Sequence, residues 1–370
     1  MGRNSNPLYE TFISDNFYRA VEAWFNASCI VSPSTTQEVS RAIKIVNFTK
    51  SKFATRGGGH DFNAKHSGVD AQGVLIDLVN YKKVTIASDK KSVTAEGGAR
   101  WGDVHFALNN TGISANGGRS PTPGIGGQTI GGGFGWFTSQ EGTTATTVIS
   151  AEVVLGNGTV VKADAKTNSE LFWAIRGGGP NFGIIASFTY RGIPVDKVWF
   201  ESRRYTADKN PALLNALYEF QKLAAKDVKA MLLFSMSEDT SAPGSQLTFC
   251  YFEPKENPAP YAPFLSIPHA SNAIPSTIGT IADLTAKFSA PIQPTPGASS
   301  VRYAHTLFQN RLIKHIILTM ILEFSPSLSP TRQPTKPTTM STTHTFLLLR
   351  PLCPRDGAST MAHSPSPLTR

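Results

Sequence analysis

The chain is poor in the residues that hold metals or cross membranes. It has three cysteines in 370 residues, Cys29, Cys250 and Cys353, an odd and widely spaced set that makes neither a disulfide framework nor a zinc site. They read as buried free thiols. No pair of histidines has metal-ligand spacing, so no metal is expected. The longest apolar run, "IILTMIL" at 316–322, is far short of the roughly 20 residues that span a bilayer, and no membrane partner is expected. "MGRNSNPLYETF" lacks the apolar core of a secretory signal, so the chain as written reads as cytoplasmic. Secretion enters only if a signal lies upstream of Met1, and the sequons at Asn26, Asn47, Asn109 and Asn157 carry weight only in that case.

Nucleotide and acyl-transfer motifs are missing as well. G-x-G-x-x-G is never completed: Gly124 and Gly126 are followed by Thr129 where the third glycine would stand. There is no G-x-x-x-x-G-K and no G-x-S-x-G, which removes the main support for Rossmann, P-loop and α/β-hydrolase readings. Charge is low, at 16% Asp, Glu, Lys and Arg, with a formal net charge of +9. Residues 325–370 hold five Lys/Arg and one Asp, or +4, which leaves 30 minus 25, or +5, on the other 324. That remainder contains no basic block interleaved with aromatics, so no nucleic-acid partner is expected.

What remains is globular: 40% hydrophobic residues over a length sufficient for two cores. Residues 27–195 alternate regularly. "CIVSPS" reads as a strand, and "TTQEVSRAIKIV" as a helix with Thr35 and Glu38 at capping-box spacing and Val39, Ile43 and Val46 on one face. "VLIDL", "KVTIA" and "SVTAEGGA" read as strands, "WGDVHFALNNTG" as a helix, and "AEVVLGNGTVVKA" as a hairpin turning at Asn157-Gly158. Thr167 and Glu170 repeat the capping spacing before the helix "LFWAIR", and the strand "IIASFTY" follows. Residues 196–324 place a helix, "NPALLNALYEFQKLAA", between the strand-like runs "KAMLLFSMS" and "QLTFCYFEP", followed by the loop-rich "PAPYAPFLSIPHASNAIPSTIG". From Ser325 onward 24 of 46 residues are Ser, Thr or Pro, a composition expected to be disordered because it buries too little to offset ordering entropy. The fold class is α+β.

Glycine is where the chain is rich. Four clusters, "RGGGH" at 56–60, "GG" at 117–118, "GIGGQTIGGGFG" at 124–135 and "RGGGPNFG" at 176–183, each flank a strand or helix end. Residues without Cβ let the backbone lie flat against a ligand and turn N–H groups toward it. Turns explain any one cluster, but four call for a common cause, such as a long phosphate-bearing ligand along the backbone.

These blocks, with "VLIDL", "GGRSPTPGIGGQTIGGGFGW", "AEVVLGNGTVVKA" and "NSELFWAIRGGGPNFGIIASFTY" in that order, resemble the PCMH-type FAD-binding domain of the vanillyl-alcohol-oxidase superfamily. Within it they are similar to the berberine-bridge-enzyme-like FAD-linked oxidases of fungi and plants. The resemblance implies a two-subdomain FAD-binding domain at 1–195, a sheet-plus-helices substrate domain at 196–324 and a tail at 325–370. It implies that the loop at 56–60, with Arg56, Gly57, Gly58 and Gly59, holds the FAD pyrophosphate through backbone N–H groups, that His60 is bonded to the flavin 8α-methyl, and that Asp61 is among the cofactor-binding residues. It further implies that Gly118, Ser120, Gly124, Gly127, Gly131, Gly132, Gly133 and Gly135 pack along the cofactor, with the Val154 main chain beside the adenine.

Many relatives carry a second tether, a cysteine in G-x-C-x-x-x-G. Here Ser120 holds that place, so a single histidyl link is expected. The implied reaction passes a hydride from a small alcohol, sugar or secondary metabolite to FAD, with O2 as acceptor and H2O2 as product, by a monomer. Aldose, alditol and cytokinin-type amine oxidation are alternatives within the superfamily. The catalytic base is left unassigned among Tyr251, Glu253 and Tyr303, and His66 and His105 read as surface or core residues. Thr146-Thr147-Val148 replaces the Asp-Asn-Val common in relatives. Nothing after "SVRYAHTLFQN" resembles the family's closing segment, so a truncated, non-catalytic flavin-binding or misfolded product is the alternative from another class.

Overall fold

The first helix forms where the spacing asks for one. In the computed structural model, which describes residues 25–61, 66–237, 244–288, 301–305 and 319–323, it runs Thr36–Thr49, with Val39, Ile43 and Val46 buried. Thr35 caps it by accepting the Glu38 N–H. The Glu38 carboxylate reaches one residue further back than a capping box requires, to the N–H and hydroxyl of Ser34. Those two bonds hold its carboxyl below the usual range.

The helix connects β1 (Cys29–Val31) to β2 (Lys52–Arg56), and with β3 (Gly73–Asp77) they form a parallel sheet in the order β1-β3-β2. β4 (Val84–Ile86) and β5 (Ser92–Glu96) follow, then the short β6 (Ile113–Ser114), then β7 (Val148–Val154), β8 (Val160–Asp164) and β9 (Ile184–Arg191). All but β6 build an antiparallel sheet, β4-β5-β9-β7-β8, while β6 pairs with β10 (Ile193–Pro194). The β7–β8 hairpin turns through Gly158 at φ +79°, and the Asn157 side chain accepts the Thr159 N–H. Apolar side chains of the first helix, β3, β7 and β9 interdigitate as Val39, Ile43, Ile76, Val154 and Ile184, which locks the two sheets together.

The chain then enters a six-stranded sheet. β11 (Val198–Thr206), β12 (Ala230–Ser237), β13 (Gly244–Tyr251), β14 (Ser271–Gly279), β15 (Val301–His305) and β16 (Thr319–Glu323) lie in the order β14-β11-β13-β12-β16-β15. Only β12 and β16 pair in parallel. Helix Asn210–Ala224 covers one face, placing Leu213, Leu217 and Phe220 against Trp199 and Phe249. Phe200 and Cys250, on the other face, pack on Trp136 and Phe137. That second contact seats the sheet on the end of the glycine-rich segment.

The α+β expectation holds, and three local expectations are corrected, the first at Cys29, which is exposed where a buried thiol was expected. Thr167 does not cap the helix Ser169–Ala174: Asn168 precedes it in the left-handed region with no side-chain cap. The Asp164 carboxylate organises this turn instead by accepting the N–H groups of Lys166 and Thr167, which lowers its pKa to about 2. The stretch read as loop-rich contains β14, including Pro275. Proline is tolerated there because β14 ends the sheet and its register against β11 is irregular between Phe200 and Arg203. The tail from Ser325 lies outside the described residues.

Candidate functional site

β2 delivers the first glycine loop. Its last residue, Arg56, pairs in register with Asp77 at the end of β3, and the two side chains form a buried ion pair. Arg56 therefore anchors the loop's entry, and its charge is used inside the fold. Gly57 lies over the Gly97 carbonyl, where a Cβ would come within 3.0 Å of the oxygen. Gly58 lies directly on Gly124: a Cβ on Gly58 would stand 2.2 Å from the Gly124 nitrogen, and one on Gly124 would stand 2.3 Å from the Gly58 nitrogen. Gly59 takes φ +66° and turns the chain outward to His60. Two loops far apart in sequence thus touch backbone to backbone at His60.

A second layer supports them. Arg100 donates from Nη2 to the Gly58 carbonyl at 3.3 Å. Desolvation lowers its pKa, yet guanidinium keeps its charge, so a cation sits beneath the loop. Trp101, fully buried, lies flat under Gly117 and Gly118, where an added Cβ would meet its ring at 2.0 and 2.7 Å. His105 bonds the Gly118 carbonyl through Nε2 at 3.1 Å, and complete burial lowers its pKa to about 4, so it is neutral. The Asn116 amide bridges the Phe137 N–H and the Gly142 carbonyl, and Gly135 packs on Asn116. Gly133 takes φ +71° with Thr144 against it.

Side chains converge at the junction. His60 Nε2 is 2.9 Å from Thr122 Oγ1, Thr122 Oγ1 is 3.2 Å from Ser120 Oγ, and Ser120 Oγ donates to the Phe288 carbonyl at 3.4 Å. Phe288 belongs to the second half of the chain and packs its ring on Trp136. The structure therefore gathers Gly57, Gly58, Gly59, His60, Gly118, Ser120 and Gly124. Asp61 pairs with His66 at the surface. Val154 lies at the end of β7, within the core shared by the first two sheets. Thr122, Arg100 and Phe288 escaped the sequence reading. Thr122 lies two residues from Ser120, but its contact with His60 spans 62 residues of sequence and leaves no local signal.

Gly127 tests whether a ligand fits. It lies inside the short helix Ile125–Ile130, has no positive φ, and nothing stands within 4 Å of where its Cβ would be. Glycine there costs the helix about 1 kcal/mol against alanine and returns no packing within the protein. Gly132 likewise faces open space, at φ +94°. Backbone bared in this way, beside a half-buried arginine, fits a long anionic cofactor.

The sheet face toward this junction begins with Phe200 and Cys250 and continues, by strand alternation, to the hydrogen-bonded Ser202, Thr248 and Gln246. Tyr251 points to the other face, where it bonds Asp227 and its pKa is raised to about 12, mainly by burial. Glu253 is half-exposed and paired with Lys229. Neither is placed as a base for this site. Tyr303 lies on β15. Among the described residues no three His, Cys, Asp or Glu side chains group as a metal site, and no helix is long and apolar enough to cross a membrane.

Residues 27–164 match the family model of an FAD binding domain. An FAD-dependent monooxygenase of Arthrobotrys oligospora is 36% identical over 279 residues, 75% of this chain and 53% of that protein. The chain spans about half the length of the curated relatives it matches. Among solved structures, a variant of berberine bridge enzyme in complex with (S)-reticuline superposes with a TM-score of 0.59 at 23% identity, covering 68% of this chain and 51% of that one. Glucooligosaccharide oxidase from Acremonium strictum, described with a 6-S-cysteinyl, 8α-N1-histidyl FAD, superposes with a TM-score of 0.56 at 24% identity over 64% and 50%.

Proposed function

We propose that this chain, whose residues 27–164 match an FAD binding domain and which is 36% identical to an FAD-dependent monooxygenase, is a berberine-bridge-enzyme-like FAD-linked oxidoreductase that oxidises a small alcohol, sugar or secondary metabolite with dioxygen as the final acceptor. Residues 1–195 form the FAD-binding part and 196–324 the substrate part. When bound, FAD supplies a two-electron acceptor for the substrate hydride and hands those electrons to O2 as H2O2.

The protein's own residues do the rest. Gly57, Gly58 and Gly59 present backbone to the pyrophosphate, with the Arg100 charge beneath them. Gly124, Gly127, Gly131, Gly132, Gly133 and Gly135 let the second loop approach the ribityl portion, and His60 is the covalent anchor. Ser120 has a hydroxyl where relatives with two links have a thiol, so His60 is the single tether. The half-buried Gln246, braced by the buried Ser202–Thr248 pair, faces the substrate, and Phe200 with Trp136 excludes water at the closed end.

The observation that carries this reading is the bare helical backbone at Gly127 beside the Gly58–Gly124 contact. The test is the absorption spectrum of purified protein before and after acid precipitation, with His60→Ala in parallel. Yellow colour that follows the acid pellet in the parent and leaves it in the variant supports the reading, and a substrate screen with peroxide detection follows. A colourless, folded parent that does not take up added FAD refutes it.

A further inference from the structure

We infer that Phe288, through Ser120 and Thr122, sets the tautomer of His60, so that Nε2 carries the proton and Nδ1 the lone pair that bonds to the flavin. The inference rests on the proposed histidyl link and goes beyond it by naming the residues that select the bonding nitrogen.

Proton direction is fixed along three contacts. A backbone carbonyl can only accept, so the bond of 3.4 Å at the Phe288 oxygen uses the proton of the Ser120 hydroxyl. Ser120 Oγ then has no proton left for its neighbour and accepts from Thr122 across 3.2 Å. The single proton of Thr122 is thereby used, and its oxygen accepts from His60 Nε2 across 2.9 Å. In a neutral imidazole with a proton on Nε2, the lone pair is on Nδ1. The origin of the chain is a carbonyl at the C-cap of helix Ile281–Lys287, where the last carbonyls lack intrahelical partners and seek donors. The second half of the protein thus orients a nucleophile in the first. Ser120 is then a link in a relay rather than a lost tether, which accounts for a polar residue at a place where no thioether forms.

The balanced step is as follows. The Nδ1–C8α bond forms while a C–H bond of the 8α-methyl breaks. That proton and the Nε2 proton released from the alkylated ring pass to the isoalloxazine with the electron pair, reducing it. Dioxygen then removes two electrons and two protons as H2O2. Thr122 and Ser120 are positioning residues, since they act through His60.

The test uses full-length apoprotein mixed with FAD in air, following the growth of acid-stable flavin and of the flavin-bearing His60 peptide by mass. Thr122→Val is expected to slow covalent incorporation about tenfold, the worth of one partly buried hydrogen bond. Thr122→Ser should remain within about twofold of the parent, and Ser120→Ala should fall between them. Total bound FAD, acid-extractable plus acid-stable, equal in all four proteins, separates lost positioning from lost folding. In parallel, ¹⁵N NMR of histidine-labelled apoprotein, assigned with His60→Gln, should show the Nε2-protonated tautomer in the parent and a mixture in Thr122→Val. Thr122→Val matching the parent in both measurements overturns the relay, as does an Nδ1-protonated His60. Flavin that binds the parent yet stays wholly acid-extractable overturns the covalent reading, while the tautomer measurement still decides the relay.

Discussion

Gly127 and Gly124 lie three residues apart in one segment, and alanine is expected to act on them with opposite signs. At Gly124 a Cβ would stand 2.3 Å from the Gly58 nitrogen and 2.8 Å from its Cα. Both atoms are backbone, so neither loop can yield without moving the other, and overpacking of this kind costs about 1–3 kcal/mol. At Gly127 nothing lies within 4 Å of the added carbon, and the residue sits inside the helix Ile125–Ile130. Alanine there should stabilise the FAD-free protein by about 0.5–1 kcal/mol through lower backbone entropy in the unfolded chain and better helix propensity. If bare backbone at this position accommodates FAD, the same methyl group should weaken binding about tenfold or more. Urea unfolding of FAD-free protein and fluorescence titration with FAD read the two effects separately. The reasoning fails if Gly124→Ala unfolds like the parent. It also fails if Gly127→Ala is stabilised yet binds FAD as the parent does, because the open face would then not be the cofactor's.

Three other perturbations follow from the same contacts. Asp77→Ala leaves Arg56 buried without its carboxylate and should cost about 3–5 kcal/mol, whereas the apolar pair Arg56→Met with Asp77→Leu should recover much of it in urea unfolding. Burial lowers the His105 pKa to about 4 from its ordinary 6.5, so the folded state favours the neutral ring; the unfolded chain binds the proton first, and stability falls as pH drops from 6.5 toward 4. The integrated loss is about 3 kcal/mol. A pH series should show a steeper slope in the parent than in His105→Gln, which lacks the titrating ring. Tyr261, fully buried, accepts the Met231 N–H and donates to the Cys250 carbonyl. Tyr261→Phe leaves both unmatched and should lower the denaturant midpoint by the equivalent of about 1–3 kcal/mol.

What could be read from the sequence was whatever is local. The helix Thr36–Thr49 was legible because its cap, Thr35, and its buried stripe, Val39, Ile43 and Val46, all lie within a dozen residues. The β7–β8 hairpin was legible because Asn157-Gly158 is a turn signal by itself. The failures have the same origin reversed. Thr167 matched a local rule, but the nearby Asp164 carboxylate captured the turn's N–H groups first. β14 was missed because Pro275 argues against a strand until one knows that the strand lies at a sheet edge.

The site divides along the same line. His60 and the glycine blocks were visible as text, but the reasons for individual glycines were not. Gly58 is glycine because Gly124 leaves no room for a Cβ, and Gly127 is glycine although the protein leaves ample room. Only a structure separates these cases, and only the second points to something outside the chain. Arg56 shows the converse, since an arginine opening a glycine loop looks like a phosphate ligand until the parallel register of β2 on β3 sets it against Asp77. The positive charge beneath the loop comes instead from Arg100, whose side chain reaches the Gly58 carbonyl from a different segment. Tyr251 is the corresponding case on the substrate side. Strand alternation separates it from Cys250, but it took the packing of helix Asn210–Ala224 to show which of the two faces away from the flavin loops. Contacts between distant segments therefore determine which of the chemically suitable residues can act, and the His60–Thr122–Ser120–Phe288 chain, which joins both halves of the protein, is the case in which that selection reaches a single nitrogen atom.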